Sequence, residues 1–240
     1  MAAPMEQSAT GGALERRAGK VINHDVVRGF DTATSDDYCG RSFKLFQPLL
    51  LSTSDSCYSY PAVNPNGDCS GGLQIGGSQT GDCRDSAGQT YVRGYWWNKK
   101  YAIMYAWYFP KDQNFIKIKG HRHDWEHVVV WINNPDDRRF KPELLGVSTS
   151  SHSGYKKYVP APGYDVEDWT HPRVKYFPDV AVFGTHGLDL TSDDGGMSRL
   201  IQWELMTPAA QDSLNHVNWG DANFPMGGNF EGNLAKAWPF

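Results

Sequence analysis

The residues best suited to chemistry form one stretch of seven, residues 120–126, which reads Gly-His-Arg-His-Asp-Trp-Glu. It contains two imidazoles, a guanidinium and two carboxylates. The apolar run at 128–132 follows directly and predicts a buried strand, so the charged residues should lie where that strand leaves the core. Because charges at the edge of a core need partners, we expect other elements to meet this strand end.

Three carboxylates can converge there. In an extended strand, Asp124 and Glu126 would share a face about 7 Å apart. Asp112 follows the preceding predicted strand and lies nine residues before His121, a connection short enough to bring it back beside them. His121 can join this group if the strand begins after it and residues 120–121 form a loop. Trp125 and His127 would then lie on the opposite face.

Carboxylates this close repel one another unless a cation or a shared proton lies between them. Ligand sets dominated by oxygen favour Mg²⁺, Ca²⁺ or Mn²⁺, and one imidazole does not exclude these ions. We therefore predict a divalent-cation site formed by Asp112, His121, Asp124 and Glu126. The alternative is a solvated ion-pair network that includes Arg122, because structural networks also perturb carboxylates.

An enzymatic interpretation is weaker. The order His121-x-His123-x-x-Glu126 comes near the cupin pattern, which binds iron or manganese for oxygen chemistry. However, this sequence has no clear third histidine downstream. The Gly-x-Ser-x-Gly and His-Glu-x-x-His motifs of hydrolases are absent from the sequence. We expect a binding protein that is not an enzyme.

Composition narrows the class of protein. The 240 residues are 40% hydrophobic, enough for a full core, and we predict a single domain over 21–240 after a disordered segment at 1–20. The net charge is -4 and Lys and Arg form no cluster, which argues against nucleic acid as a partner. No apolar run has the length of a transmembrane helix.

All four cysteines lie within the first 83 residues, mostly in the glycine-rich, loop-like stretch at 52–88. None forms a CxxC pair, and a loop this long needs covalent links to hold one shape, so we expect disulfides. Four cysteines allow three connectivities, and the spacing alone does not select one.

The remaining patterns predict an all-β protein, a sandwich of two mainly antiparallel sheets with a few peripheral helices. Residues 89–97 and 100–109 are rich in aromatic and β-branched side chains and flank Asn98-Lys99, which predicts a hairpin. Turn signals separate shorter predicted strands at 144–148, 156–159, 173–177, 180–183 and 198–205. A further strand, with a break at Pro48, is predicted at 43–51. One helix is predicted from Thr207 as N-cap, through Pro208, to near Asn215.

These motifs resemble the necrosis- and ethylene-inducing peptide 1-like proteins, the NLP family of secreted microbial cytolysins. Residues 120–126 match the family's heptapeptide, and residues 102–112 (Ala-Ile-Met-Tyr-Ala-Trp-Tyr-Phe-Pro-Lys-Asp) resemble the immunogenic strand before it in type 1 members. The stretch from Cys57 through 61–63 and 70–73 to Cys83 resembles the family's disulfide loop, and 152–154 and 202–205 continue the match. The resemblance covers the chain from residue 21 onward.

The resemblance implies a β-sandwich like those of actinoporins and fungal lectins, with a divalent cation held by Asp112, His121, Asp124 and Glu126. It implies a secreted protein that binds glycosyl inositol phosphoryl ceramide in the plant plasma membrane, permeabilises it, and induces necrosis and ethylene. It also implies recognition of the 102–126 region by a plant pattern-recognition receptor. We expect a monomer in solution.

Disulfide pairing follows from the same resemblance. Cys57 with Cys83 is the pair typical of the family. This leaves Cys39 with Cys69 as an expected second disulfide, which departs from the family pattern.

The resemblance also places headgroup-binding residues. The loop after Cys57 brings Asn64 and Asp68 near the headgroup. His186 is a candidate for the cavity lining, and an ordinary surface histidine is the alternative. The membrane-facing loop at 181–186 carries Phe183 where the family can carry a tryptophan. That departure keeps a lectin-like sphingolipid-binding or immunogenic protein without lytic activity as the alternative.

Overall fold

The computed structural model describes residues 19–114, 120–136, 138, 141–152, 154–179 and 185–240. Residues 1–18, most of the predicted disordered segment, lie outside this part of the chain. So do residues 180–184, which contain the predicted strand at 180–183 and Phe183.

The described residues form strands that alternate with long connections. In chain order they are β1 Val21–Ile22, β2 Leu49–Ser52, β3 Cys69–Ser70, β4 Gln89–Trp97, β5 Lys100–Gln113, β6 Gly120–Ile132, β7 Leu144–Ser151, β8 Gly154–Tyr158, β9 Val166–Glu167, β10 His171–Asp179, β11 Thr185–Leu190 and β12 Arg199–Gln202.

The larger sheet has the order β12-β4-β5-β6-β7-β8. Its centre is the predicted hairpin of β4 and β5, and β5 continues to Gln113, four residues beyond the predicted end. Apart from Lys100 at its start, β5 is buried along its length, because both of its faces are largely apolar and a strand pairs with it on each edge.

The smaller sheet has the order β11-β10-β2, and β9 pairs with β10. β11 contacts β5, β6 and β7, so the two sheets face each other and enclose the core. Between them the rings of Phe109 and Tyr176 stack with their centroids 3.6 Å apart. The predicted sandwich is confirmed, although β12 with β4, β10 with β2, and β1 with β3 are parallel pairs.

Within the described ranges, three α-helices lie at the periphery: α1 Tyr38–Leu45, α2 Pro208–His216 and α3 Phe230–Ala237. The prediction of α2 is confirmed, since Thr207 Oγ1 accepts a hydrogen bond from the Ala210 N–H at 3.2 Å. In the described part of the chain, no helix is long and apolar enough to cross a membrane.

The predicted strand at 43–51 is wrong in its first half, which belongs to α1. Asp37 starts this helix by accepting a hydrogen bond from the Gly40 N–H at 2.9 Å, and Phe43 is buried beneath it. The helix ends before Pro48, and β2 begins at Leu49.

Cys57 and Cys83 form a disulfide, as the resemblance implied. The predicted Cys39–Cys69 disulfide is wrong, because both cysteines are free. Cys39 lies beside Tyr101 at the start of β5, whereas the residue after Cys69, Ser70, bonds the Tyr108 hydroxyl at 3.0 Å. Tyr101 and Tyr108 are seven residues apart on one strand, about 23 Å. A disulfide requires Cα atoms within about 7 Å.

A candidate ligand cavity and its acidic cluster

The four predicted cation ligands line one cavity of about 580 Å³. It opens where β6 has only one neighbour: β5 pairs with β6 along most of its length, whereas pairing with β7 begins at Val128 and Thr149. The unpaired edge at 120–127 therefore borders open space. The full lining is Asp112, His121, 124–127, Ser150, His152, Gly154, Tyr155, Thr185, His186, 221–223, Asn229, Gly232, Asn233 and Lys236.

Asp112 lies near the end of β5 and is 1% exposed. His186 on β11 holds both of its oxygens: its backbone N–H donates to Oδ2 at 3.0 Å, and its Nδ1 lies 2.6 Å from Oδ1. The His186 ring also stacks on Tyr176, with centroids 4.5 Å apart. His186 thus lines the cavity and orients Asp112, and the alternative of an ordinary surface histidine is wrong, because the residue is 4% exposed.

His121 reaches the cluster from within β6, so the expectation that residues 120–121 form a loop is wrong. It pairs with Asp112 across the ladder, and its Nε2 lies 3.5 Å from Asp112 Oδ2. Strict alternation would place His121 on the face away from Asp124. His123 interrupts that alternation with a φ of 63°, a left-handed conformation that few non-glycine residues adopt.

His123 itself turns away from the cluster. Its Nδ1 lies 2.7 Å from the Tyr108 hydroxyl, and its ring packs against Trp219. Burial, reinforced by the charges of Arg122 and His121, lowers the pKa of His123 to about 4, so the imidazole is neutral at pH 7. The cupin interpretation needs His121, His123 and Glu126 around one ion, and the structure separates His123 from the other two.

Asp124 and Glu126 share a face, as predicted, and both are 6% exposed. The Tyr176 hydroxyl donates to Asp124 Oδ2 at 2.7 Å, and the Ser150 hydroxyl donates to Glu126 Oε2. Arg122 is exposed on β6, so the carboxylates depend on hydroxyl and imidazole partners instead of its guanidinium. This disfavours the solvated ion-pair network.

The cluster is electrostatically strained. Burial, with repulsion from Asp112, raises the pKa of Asp124 to about 6. Burial and repulsion from Asp124 raise the pKa of Glu126 well above its usual range. Burial alone would lower the pKa of His121, but Asp124, Asp112 and the His123 carbonyl outweigh it and raise that pKa. All three shifts favour the protonated form of the group, so they reduce the net negative charge of the cluster.

The donor set fits a hard divalent cation. Three carboxylates supply the oxygens that such ions prefer. The His121 Nδ1 lies 2.6 Å from the His123 carbonyl and must donate to it, which leaves Nε2 facing the carboxylates. Among the described residues, no three His, Cys, Asp or Glu side chains already surround one point as ligands.

Trp125 and His127 also border the cavity, contrary to the expectation that they point away from it. The open edge of β6 explains this, because side chains from both faces reach an edge that no strand covers. Burial lowers the pKa of His127 to about 3, and its Nε2 lies 2.5 Å from the Tyr155 hydroxyl.

Asn64 and Asp68 lie outside the cavity lining. They close a turn in which Asn64 Oδ1 accepts from the Asp68 N–H at 2.9 Å and Asn64 Nδ2 donates to Asp68 Oδ2 at 3.1 Å. Thr207 before α2 anchors the turn by donating to the Pro65 carbonyl at 2.7 Å. Their role at a headgroup stays a prediction.

Sequence reasoning missed Tyr176, Ser150 and the α3 residues of the cavity. Tyr176 comes from the facing sheet, Ser150 from the next strand, and α3 from near the chain end. Local patterns contain no signal for contacts at such separations, so only the fold identifies them.

Comparison with known proteins agrees with this geometry. Residues 41–237 match the family model for necrosis inducing protein (NPP1). The chain is 45% identical to NLP effector protein 2 of Phytophthora capsici, covering 91% of this chain and 87% of that protein. It is 40% identical to the necrosis-inducing protein NPP1 of Phytophthora nicotianae, with 91% of each covered.

Solved structures show the same fold. The non-toxic HaNLP3 protein superimposes with a TM-score of 0.85 at 41% identity, covering 90% of this chain and 99% of that one. The structure of NLPPya in complex with mannosamine superimposes with a TM-score of 0.83 at 40% identity, covering 91% of this chain and 99% of that one. The family model, the relatives and the matching fold lead to one conclusion: the chain belongs to the necrosis-inducing NLP family.

Proposed function

We propose that this protein is a secreted, necrosis-inducing cytolysin whose cavity binds the sugar headgroup of plant plasma-membrane sphingolipids, such as glycosyl inositol phosphoryl ceramide. Binding depends on a divalent cation and precedes membrane permeabilisation. The observation that carries the proposal is the convergence of Asp112, Asp124 and Glu126, all buried, in an open cavity. The mannosamine complex of the relative NLPPya supports a sugar as ligand.

Asp112, His121, Asp124 and Glu126 would hold the cation, which would be Mg²⁺, Ca²⁺ or Mn²⁺. When bound, it would supply the positive charge that this cluster lacks and a site for sugar hydroxyls. Tyr176 and Ser150 orient two of the carboxylates, and each of these carboxylates has a second oxygen free for the ion or a hydroxyl. His186 orients the third.

Binding without turnover is part of the proposal. The polar groups of the cluster are arranged to hold charge, and His123, which a cupin-like iron site would need, is bonded to Tyr108. We also propose that the protein acts as a monomer. Receptor recognition of the 102–126 region would require the chain to open or be cleaved, because β5 is almost completely buried.

The test is dye release from vesicles that contain glycosyl inositol phosphoryl ceramide. We expect release by the wild type with Mg²⁺ or Ca²⁺, and loss of release with EDTA or in Asp124→Asn, which keeps the side-chain shape but removes the charge. Asp194→Asn, at an exposed carboxylate, is the matched control and should release dye normally. Release that survives both chelation and Asp124→Asn would refute the cation's role. Equal release from vesicles without the sphingolipid would refute the headgroup.

A lectin-like protein without lytic activity is the second candidate. The observation that favours it is the close match to HaNLP3, a protein described as non-toxic. Flotation of the same vesicles separates the two candidates: cation-dependent binding with dye leakage supports the cytolysin, and binding without leakage supports the lectin-like protein.

A further inference from the structure

The cavity is larger than its acidic cluster. The cluster comes from β5, β6 and β11, whereas the far side is formed by α3, which packs on β7 and β8. We call Asn229, Gly232, Asn233 and Lys236 the α3 wall. At about 580 Å³ the cavity lies within the ~300–1,000 Å³ of pockets that enclose whole small molecules, and a cation with its ligands accounts for one end only.

The polar groups of the α3 wall are available to a ligand. Asn229 is the N-cap residue of α3, but its side chain makes no capping hydrogen bond. Asn233 Nδ2 donates to the Pro225 carbonyl at 3.0 Å, which fixes the amide and leaves Oδ1 as an acceptor. Gly232 between them leaves open space, since a Cβ there would meet nothing within 4 Å.

Two buried groups on β6 that border the cavity lack a hydrogen-bond partner among the residues that the structure describes. Trp125 is 6% exposed, and its Nε1–H, which can only donate, has no acceptor in the described part of the chain. His127 Nδ1 is also buried without a partner, while its Nε2 bonds Tyr155. Buried polar groups are normally satisfied, so two unsatisfied ones in one cavity wall point to an absent ligand.

Resting on the proposed function, we propose that the α3 wall, with Trp125 and His127, is a second saccharide subsite. It takes the sugar unit adjacent to the one bound at the acidic cluster. Side-chain amides offer a donor and an acceptor side by side, which suits neighbouring hydroxyls of a neutral sugar. The Trp125 ring packs among Tyr91, Tyr108, Trp219 and Phe224, so it offers the ligand its Nε1–H and not a ring face.

The experiment compares glucosamine with its β-1,4-linked disaccharide by calorimetry in saturating Mg²⁺. The wild type should bind the disaccharide more tightly than the monosaccharide. Asn229→Ala and Trp125→Phe, which removes Nε1 and keeps a ring, should each weaken disaccharide binding about fivefold to tenfold and leave monosaccharide binding unchanged. Glu231→Ala, an exposed position on the same helix outside the lining, is the control for effects on helix stability and should change neither.

Among the described residues the Asn229 side chain makes no capping hydrogen bond, so Asn229→Ala tests the subsite even if Trp125→Phe folds poorly. Equal weakening of both sugars, or no change in either, would overturn the second subsite while leaving sugar binding at the cluster intact. A wild type that binds neither sugar would overturn the proposed function, and the subsite with it.

Discussion

At one end of the β5–β6 ladder, the pairs from Tyr101–Ile132 to Tyr105–Val128 bury apolar side chains. There β4 covers one edge and β7 the other. At the other end Asp112 pairs with His121, its carboxylate is equally buried, and β7 no longer pairs with β6. The same two strands thus contain a region where burial stabilises the fold and a region where burial raises the energy of charges that a ligand can then relieve.

The apolar end should tolerate loss of volume least. Trp131 is fully buried, donates to Ser148 Oγ at 3.2 Å, and packs against Trp238 and Phe240. Trp131→Ala should reduce the free energy of unfolding by about 3–5 kcal/mol, through lost contacts and a cavity. Chemical denaturation measures the loss, and molecules that remain folded should still bind sugar. Loss of binding before unfolding would show that the two ends are not separable.

The disulfide should support mainly the cavity end. The Cys57–Cys83 loop is bonded to β5 on both sides of Asp112: Lys111 Nζ donates to the Ser78 carbonyl at 2.9 Å, and the Gly76 N–H donates to Gln113 Oε1 at 2.8 Å. Reduction should cost about 3–4 kcal/mol, given the sequence separation of 26 residues.

Hydrogen exchange after reduction should therefore show protection lost first at 110–113 and retained at 101–109. Uniform loss along β5 would contradict this. Thiol titration of the denatured but unreduced protein should find two thiols, Cys39 and Cys69. In the native protein Cys69 should react slowly, because burial raises its pKa to about 12.

In EDTA, the charged groups at the cavity end should make the stability of the folded protein depend on pH. The folded pKa of Asp124 is about 6, above its ordinary 3.8, so the folded state holds this proton more tightly than the unfolded state. The contribution to stability is present below about pH 4 and is lost as the pH rises through about 6. Asp124→Asn should therefore gain about 2–3 kcal/mol relative to the wild type between these limits.

Thermal unfolding at a series of pH values checks this difference. His123 and His127 have lowered pKa values, so they stabilise the protein as the pH rises, which is the opposite trend. Both residues are present in the variant and in the wild type, so the difference in stability between the two proteins removes their contribution. Saturating Mg²⁺ should abolish the advantage of Asp124→Asn at pH 7. An advantage that does not vary with pH would show that the carboxylate is not strained.

The sequence alone determined the elements whose signals are local. Aromatic and β-branched residues on either side of Asn98-Lys99 defined β4 and β5, the Thr207-Pro208 pair defined the start of α2, and the spacing of Asp112, His121, Asp124 and Glu126 defined one end of the cavity. Each depends on side-chain periodicity or capping within a few residues, which the chain expresses wherever it folds. The resemblance of the motifs to a known family further predicted the family membership and the Cys57–Cys83 disulfide.

Only the tertiary structure decided the rest. It brought His186 to Asp112 across 74 residues and placed α3 on the far side of the cavity. It also kept Cys39 and Cys69 apart and moved His121 to the acidic face through the left-handed His123. These outcomes depend on which strands pair, where pairing stops and how the two sheets pack, and such long-range contacts leave no periodic trace in the sequence.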